Sequence, residues 1–275
     1  METINVLGGK GYVGSHFVEN SRFSVIANDK FDYVPCCNDV LNFISTNHNY
    51  NVFANPFLDI NTNLIVLVEI LENWRARNPN GIFNFVSSWF VYGDNGSPQS
   101  KETDACNPKG FYSITKRAAE QLLISYCETY NLNYRILRLA NVAGTYDPGA
   151  SAKKNALQHL INLMKEGSTV ELYEDGEFHR DYIHIDDVVR AIDLVLDRGE
   201  INQIYNIGNG TPIHFGELIR KAHTMIGSSS EIKSIEQKEF HKKVQVKSFF
   251  MNNQKLTDLG YKPTKTVENI LEGMI

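Results

Sequence analysis

Cysteine is scarce in this sequence, and long apolar runs are missing. The four cysteines among 275 residues form neither a CxxC pair nor a His/Cys metal spacing, so we expect free thiols in a reducing compartment and no bound metal. The longest apolar run covers only residues 64–68, against ~20 for a membrane span, and the N-terminus leads into a strand rather than a signal peptide. We therefore expect a cytoplasmic protein with no membrane partner.

A strong charge of either sign is also absent. The net charge is −5 with a pI near 5.9, and the lysines and arginines are spread along the chain. This distribution argues against a nucleic-acid partner, which needs clustered cations. What the sequence does contain is 42% hydrophobic residues, enough for one large or two small domains with a buried core.

A glycine-rich turn lies near the N-terminus, between an apolar run and a helical pattern. The run Thr3–Leu7 predicts a strand, and Phe17 with Val18 continues a helix. Glycines at such a junction permit a tight turn and bring the backbone close to a pyrophosphate, which the helix N-terminus faces. We expect this loop to bind a dinucleotide through Gly8, Gly11, Tyr12, Val13 and Gly14.

Apolar runs and helical patterns then alternate up to residue 141. This alternation predicts an α/β fold, a doubly wound parallel sheet with helices on both faces and ligands at the strand ends. Asp29 follows the second strand, where a carboxylate can bind an adenosine ribose, although a simple turn-forming role is the alternative. Further strands are predicted at 23–27, 40–44, 82–86, 134–139 and 204–207, and a helix at 63–75 that is apolar on nearly every side.

A tyrosine and a lysine occur four residues apart in the segment FYSITKRAAEQ. On a helix this spacing places Tyr112 and Lys116 on one face. A cation beside a phenol lowers the phenol pKa from about 10, so Tyr112 could exchange a proton at neutral pH. The alternative is an aromatic side chain packed under a solvated lysine, and only the neighbouring motifs favour the catalytic interpretation.

The regular alternation ends after residue 141. Glycine, proline and polar residues predict a departure into a smaller lobe, and a helix that opens at residues 153–155 offers a phosphate-facing start. Asp186 and Asp187 precede an amphipathic helix and are interpreted as residues that cap its N-terminus and interact favourably with the helix dipole, rather than as metal ligands. We predict a cofactor domain at 1–145, to which 185–215 returns, and a mainly substrate-binding lobe at 146–275.

Six motifs resemble, in their order, the extended short-chain dehydrogenase/reductase family, in particular its NAD-dependent sugar-nucleotide epimerases and dehydratases. These motifs are GGKGYVGSH, FVSSWFVYG, YSITK, RLANVAG, HRDYIHIDDVVRA and YNIGNG. Together they extend over nearly the whole chain. The resemblance implies a Rossmann-type fold with a small C-terminal substrate lobe, NAD as cofactor and a nucleotide-diphosphate sugar as substrate.

The resemblance also implies roles for individual residues. Tyr112 would be the catalytic acid/base, Lys116 a ligand of the nicotinamide ribose, and Ser88 the hydroxyl that holds the reacting sugar oxygen. Asn141 and Arg180 match positions that contact the substrate diphosphate, a task suited to a guanidinium.

The sequence departs from the family pattern in three places. Relatives have a second arginine near the tail, where this chain has Lys242, which offers charge without a bidentate fork. Relatives insert a strand and a helix after the second strand, where residues 30–38 leave no room, so we expect a sheet shortened by one strand unit and an exposed adenine. The family's dehydratases carry an acidic pair after the catalytic hydroxyl, and here Trp89 and Phe90 take that place.

These features favour an NAD-dependent epimerase that transiently oxidises a sugar hydroxyl at C4. Epimerisation is favoured over dehydration because Trp89 and Phe90 cannot exchange the protons that an elimination needs. A nucleotide-sugar 4-ketoreductase or 4,6-dehydratase of the same family is the alternative. A non-catalytic NAD-binding sensor or scaffold is a third, and the joint presence of Ser88, Tyr112 and Lys116 argues against it.

Cofactor choice and assembly can also be predicted. Asp29 favours NAD, because its carboxylate would repel a 2′-phosphate, although Lys10 and Lys30 could still admit NADP. The helices at 63–75 and Phe111–Tyr130 predict a homodimer, since a sheet covers only one side of an apolar helix and relatives pair through four such helices.

Overall fold

The computed structural model describes residues 3–77 and 80–275, and its centre is a six-stranded sheet. The strands are β1 (Thr3–Leu7), β2 (Ser24–Ala27), β3 (Asp39–Asn42), β4 (Ile82–Ser88), β5 (Gln99–Ser100), β6 (Asn133–Leu139), β7 (Asn141–Ala143), β8 (Val170–Tyr173), β9 (His179–Arg180), β10 (Tyr182–His184), β11 (Gln203–Ile207), β12 (Ile213–His214), β13 (Ile232–Ile235) and β14 (Phe250–Met251). The α-helices are α1 (Tyr12–Asn20), α2 (Phe57–Ile60), α3 (Val66–Arg77), α4 (Phe111–Tyr130), α5 (Ala156–Lys165), α6 (Ile185–Arg198), α7 (Phe215–Ile226), α8 (Glu239–Val244), α9 (Gln254–Asp258) and α10 (Val267–Met274).

The central sheet is parallel throughout and has the order β11-β6-β4-β3-β1-β2. Val6 of β1 lies opposite Ala27 on one side and Leu41 on the other. The chain runs outward in one direction from β1 to β2 and in the other from β3 onward, so the switch in strand order lies between β1 and β3. Ligands bind at such a crevice beyond the carboxyl ends of the strands. The doubly wound fold expected from the sequence is confirmed.

The sheet ends at β2, and the described residues 30–38 contain no strand or helix. A polar network holds this link instead. Asn5 on β1 donates from Nδ2 to the Ile26 carbonyl at 2.8 Å and to Asn28 Oδ1 at 2.7 Å, and its Oδ1 accepts from the Cys36 N–H at 2.9 Å. The expected shortening of the sheet by one strand unit is therefore confirmed.

Residues 57–77 form one helical run, in which the π-helix Asn61–Ile65 joins α2 to α3. The helix expected at 63–75 is present, and it begins earlier. The expectation that it is apolar on nearly every side is too broad, because Glu69 and Glu72 are exposed beside the exposed apolar residues Ile65 and Val68. The face of α3 that packs under the sheet buries Leu67, Ile70, Leu71 and Trp74.

Residues beyond 143 build a second hydrophobic core. The helices α5, α7 and α10 pack together there with β8, which pairs with β13. The chain then returns to the central sheet, where β11 pairs with β6. The division at residue 145 stays a prediction, and the separate core beyond 143 supports it. Buried members of this second core include Leu157, Leu160, Ile161, Leu172, Leu218, Ile219 and Ile270.

The N-terminus of α6 is capped differently from expectation. His184 Nδ1 accepts from the Asp186 N–H at 3.1 Å, so His184 is the cap. Asp186 and Asp187 occupy the first turn, where their charge suits the helix dipole. Asp187 is buried, and its carboxylate accepts hydrogen bonds from the N–H groups of Thr264 at 2.9 Å and Lys265 at 3.0 Å. The capping role predicted for the two aspartates is therefore wrong. Their position in the first turn still allows the predicted favourable interaction with the helix dipole.

Candidate active site

The loop between β1 and α1 forms a backbone cradle. Gly8 has φ +78°, and a Cβ at Gly14 would lie 2.4 Å from the Gly8 carbonyl oxygen, so a side chain at either position would disrupt the turn. The helix α1 has no side-chain cap, which leaves N–H groups at its N-terminus for an anion. This cradle fits the pyrophosphate of a dinucleotide. The predicted loop residues Gly8, Gly11, Tyr12, Val13 and Gly14 all line one cleft of about 770 Å³.

Asp29 lies two residues after the end of β2, outside the lining of that cleft. Its carboxylate accepts from Lys10 Nζ at 2.7 Å, and this hydrogen bond lowers the pKa of Asp29. Both side chains are well exposed. A ribose could still reach the second carboxylate oxygen, while Lys10 brings a positive charge to the same place.

The helix α4 is fixed at its start by a turn from another part of the chain. A Cβ at Gly110 would lie 2.1 Å from Asn49 Oδ1, so only glycine fits where the two segments meet. Asn49 Oδ1 also accepts from the Ser113 N–H at 3.2 Å. This contact sets the register at which Tyr112 and Lys116 enter the cleft, and both side chains line it.

Lys116 is a buried cation. Its Nζ donates to the Val86 carbonyl at 2.7 Å and lies 4.1 Å from the centroid of the Phe85 ring. Burial lowers the pKa of Lys116 to about 7, and the charge of Glu120 only partly opposes this. The ammonium is therefore close to its titration point at neutral pH.

Burial raises the pKa of the Tyr112 phenol. Hydrogen bonding to Ser88 and Ser45 opposes this rise, whereas the charge of Asp59 adds to it. The expectation that Lys116 lowers the phenol pKa is wrong for this structure, because desolvation dominates and Lys116 does not contribute to the shift. Tyr112 therefore keeps its proton at neutral pH until a ligand changes the surroundings.

Ser88 ends β4 and faces the same cleft as Tyr112. Its Oγ accepts from the Phe90 N–H at 3.3 Å, which starts a short 3-10 turn. Trp89 stacks on Phe90 with ring centroids 4.1 Å apart, and Phe90 lies edge-on to Tyr112 at 6.0 Å. Trp89 and Phe90 thus form an apolar wall beside the Tyr112 phenol.

Arg180 ends β9 and lines the same cleft, with its guanidinium 5.4 Å from the Trp89 ring centroid. Its side chain donates to the carbonyls of His179 at 2.8 Å and Lys247 at 2.9 Å, and its guanidinium lies 4.5 Å from the Phe178 ring centroid. Burial lowers the pKa of Arg180 to about 10, so it stays charged at neutral pH. Within residues 3–77 and 80–275, no carboxylate forms an ion pair with it. Asn141 lines the same cleft and donates from Nδ2 to the Asp181 carbonyl at 3.0 Å.

The structure does not bring Lys242 to the cleft. Its Nζ pairs instead with Glu236 at 2.7 Å and Glu239 at 3.4 Å on the surface. The cleft is lined at this point by Lys238 and His241. Lys242 and His241 are neighbours on the helix α8, where adjacent residues differ by about 100° in direction, so packing of the helix decided which one faces inward.

Residues 45–50 line the cleft beside Tyr112, and the sequence reasoning missed them. This segment follows β3 at the switch in strand order. Tyr50 Oη lies 2.9 Å from His241 Nδ1, so it joins the central domain to the C-terminal lobe across the cleft. The place of this segment in the chain could have predicted its role, because loops that follow parallel strands carry ligand contacts.

The polarity of the cleft is uneven. Among the described lining residues, the carboxylates are Asp147 and Glu171, both in the C-terminal lobe, and Asp147 pairs with Lys154 at 3.4 Å. Lys153 and Lys154 precede α5, which begins at Ala156.

No described group of three His, Cys, Asp or Glu residues could hold a metal, and no described helix is long and apolar enough to cross a membrane. The fold and cleft define an enzyme of the dinucleotide-dependent class.

Comparison with known proteins identifies the family. The model of the NAD dependent epimerase/dehydratase family matches residues 27–208, more than half of the chain, so the protein belongs to that family. The resemblance found from the motifs is confirmed, and NAD is the family's cofactor. The matched range begins after the glycine loop, which the cradle geometry supports independently.

Individual relatives extend this result. The low-salt glycan biosynthesis protein Agl12 of Haloferax volcanii is 26% identical over 98% of this chain and 96% of its own length. The dTDP-D-glucose 4,6-dehydratase of Dictyostelium discoideum is 28% identical over 80% of this chain and 61% of its own length. The crystal structure of UDP-glucose 4-epimerase from Thermotoga maritima with UDP-glucose has a TM-score of 0.84 and 26% identity, and the match covers 99% of this chain and 97% of that one.

Proposed function

We propose that this enzyme is an NAD-dependent epimerase that inverts C4 of a nucleotide-diphosphate sugar. The observation that carries the proposal is the meeting of Ser88, Tyr112 and Lys116 in one cleft with the glycine cradle. When bound, NAD supplies the group that accepts a hydride from the sugar carbon and returns it.

The side chains of the chain itself account for the proton. Ser88 can hold the reacting sugar oxygen by a hydrogen bond while Tyr112 takes or returns its proton. Because burial raises the pKa of Tyr112, the phenol is protonated at neutral pH and has a proton to give to a keto oxygen. Tyr112 can accept a proton only as a phenolate, and a protonated Lys116 provides the positive charge that stabilises this state.

The buried charge of Arg180 supports a diphosphate. A buried cation without an anionic partner is costly, and an anion entering the cleft would relieve that cost. A guanidinium is suited to phosphate oxygens because it offers several donors in a fixed fork. Asn141 lies in the same cleft and can add an amide donor.

Epimerisation is favoured over dehydration by what lines the cleft beside Tyr112. Elimination of water needs an acid and a base, and Trp89 and Phe90 supply neither. The carboxylates among the described lining residues, Asp147 and Glu171, both come from the part of the chain after residue 143. A 4-ketoreductase or a 4,6-dehydratase remains the alternative within the same family.

A label at the reacting carbon tests this proposal. A nucleotide hexose with deuterium at C4 should give its C4 epimer with the deuterium retained at C4, because the same hydride returns to the same carbon. Mass spectrometry and NMR of the product measure the position of the label. Migration of deuterium to C6 would instead indicate a 4,6-dehydratase and would overturn the proposal.

We also propose a homodimer built from α2, α3 and α4. These helices expose a set of apolar side chains on neighbouring surfaces, and a second copy of the chain would bury them. The helix contacts between α2 and α4 make this surface continuous. Its members are Phe57, Leu58, Ile60, Val68, Phe111, Ile114 and Leu122, together with Ile65 at the end of the π-helix that joins α2 to α3.

A cytoplasmic location and the division of labour between the two parts are further proposals. All four cysteines are free, which fits a reducing compartment. The cofactor cradle lies within 1–145, and Arg180 belongs to the lobe at 146–275. Fractionation of producing cells tests the location, and separate binding titrations of NAD and a nucleoside diphosphate on cradle and Arg180 variants test the division.

A further inference from the structure

Phe31 is a bulky residue in an unusual backbone conformation. Its φ is +70°, in the left-handed region that bulky side chains rarely adopt. The other non-glycine residues with positive φ in the described chain are Asn, Asp and Glu. Such a conformation costs stability and persists where the surroundings impose it, often at ligand contacts.

The loop around Phe31 is well organised. Phe31 is the third residue of a turn that the Asp32 N–H closes onto the Asp29 carbonyl at 3.1 Å. Turns with positive φ at this position favour glycine or asparagine. Asn28 Nδ2 donates to the carbonyls of Asp32 at 3.2 Å and Val34 at 3.0 Å, so the turn is anchored at the end of β2. The network therefore holds the backbone at Phe31 in this conformation.

The ring is presented to solvent. Phe31 is 72% exposed, more than any other exposed large hydrophobic residue that the structure describes. The Lys30 ammonium lies 4.9 Å from the ring centroid, which steadies the ring from one side. An exposed aromatic ring in a strained turn is unfavourable for the protein alone, and a flat ligand that stacks on the ring would offset this cost.

The position of Phe31 indicates which ligand this is. It follows Asp29 by two residues at the carboxyl end of the edge strand β2, and none of the described residues 30–38 forms a strand or helix that could cover it. In a doubly wound sheet the adenosine half of a dinucleotide lies at the end of this strand. We propose that Phe31 is the stacking platform for the adenine of the cofactor, in place of a further strand unit. This inference rests on the proposed NAD-dependent function.

Variants at Phe31 test the platform without endangering the fold. Phe31→Gly and Phe31→Asn suit positive φ and remove the ring, so their melting temperatures should equal or exceed that of the wild type. Calorimetry should show about tenfold weaker binding of ADP-ribose to both, the loss typical of one base–aromatic stack. Nicotinamide mononucleotide, which has no adenine, should bind these variants as it binds the wild type. Phe31→Trp keeps a stacking face and should retain the affinity for ADP-ribose.

A matched control is Ile201→Ala, an exposed apolar residue just before β11 at the opposite edge of the sheet, which should leave ADP-ribose binding unchanged. Unchanged ADP-ribose affinity in the glycine and asparagine variants would overturn the platform while leaving the proposed function intact. Equal weakening of both ligands would also overturn it, because the loop would then act on the whole cleft. Failure of the wild type to bind NAD, NADP or ADP-ribose would refute the proposed function itself.

Discussion

Lys116 holds its ammonium between a carbonyl oxygen and an aromatic ring, with no carboxylate in direct contact among the described residues. Its low pKa is the consequence of desolvation. A lysine in this state can change charge near neutral pH, which suits a group that must balance the charge of Tyr112 during proton transfer. The same burial of a charged group lowers the free energy of unfolding of the protein.

Replacing Lys116 should therefore stabilise the ligand-free protein in a pH-dependent way. Between the folded pKa of about 7 and the ordinary lysine value, the unfolded chain binds more protons, so wild-type stability rises with pH. Below about pH 7 both states are protonated, and the burial cost is present in full. Lys116→Met removes this cost, so its stability advantage should be larger at about pH 6 than at about pH 9, by roughly 2–3 kcal/mol.

Chemical denaturation of Lys116→Met and wild type at both pH values checks this prediction. Lys262→Met, at an exposed lysine, is the matched control, and its stability relative to wild type should differ little between the two pH values. An advantage of Lys116→Met that does not shrink as pH rises would show that Lys116 keeps its charge inside the fold. The variant should lose activity in either case.

We expect the ion pair between Lys10 and Asp29 to govern the choice between NAD and NADP. Asp29→Asn removes the carboxylate that would repel a 2′-phosphate and frees Lys10 to meet it. We expect the affinity ratio of NADP to NAD to rise several-fold in Asp29→Asn and to fall in Lys10→Gln. Fluorescence titrations of both cofactors measure the ratio. An unchanged ratio in both variants would place the 2′ position away from this pair.

At the scale of elements, a buried ion pair attaches α4 to the sheet. Glu120 on α4 accepts from Arg138 on β6 at 3.0 and 2.7 Å, and also from Arg117 at 2.8 Å. Burial alone would raise the pKa of Glu120, but the hydrogen bonds and charge of Arg138 lower it. Since Tyr112 and Lys116 lie on the same helix, this pair also fixes their place beside Ser88.

Removing one member of this pair should be costly. Glu120→Gln leaves Arg138 buried without its full counter-charge, and we expect a loss of about 3–5 kcal/mol in the free energy of unfolding. Urea denaturation measures it. The exposed pair of Lys221 and Glu268 gives the control, because Glu268→Gln should change stability little. Equal losses in the two variants would contradict the role given to burial.

The elements of the fold were largely predictable, because periodic patterns decide them. The strands β1, β4, β6 and β11 agree with their sequence predictions to within two residues at each end. Glycine spacing also led to the cofactor cradle. These features depend on local backbone needs and apolar periodicity, which a sequence displays directly.

The remaining parts of the site depend on tertiary packing. The π-helix Asn61–Ile65 has no sequence pattern that separates it from an α-helix. Residues 45–50 line the cleft because β3 ends at the switch in strand order, and Lys242 turns outward because of how α8 packs. The pKa values of Tyr112 and Lys116 follow from burial, which spacing on a helix does not reveal.

At the scale of the whole molecule, the exposed apolar surface of α2, α3 and α4 predicts the assembly. Ile65 is 59% exposed and lies within this surface, so Ile65→Glu should place a charge in the interface and yield a monomer. Sedimentation velocity at micromolar concentration measures the change. Ile201→Glu, at an exposed site outside the surface, should stay dimeric. A wild-type protein that sediments as a monomer would contradict the dimer.

In the proposed reaction, one cleft oxidises and re-reduces the same sugar carbon. The most direct test follows a nucleotide hexose and added NAD with the purified protein, using proton NMR for the sugar and absorbance for reduced cofactor. We expect an equilibrium mixture of C4 epimers with no net reduced cofactor, and a loss of rate of at least about a hundredfold in Tyr112→Phe with NAD binding intact. Formation of a 4-keto-6-deoxy product, or steady consumption of reduced cofactor with a keto sugar, would contradict it.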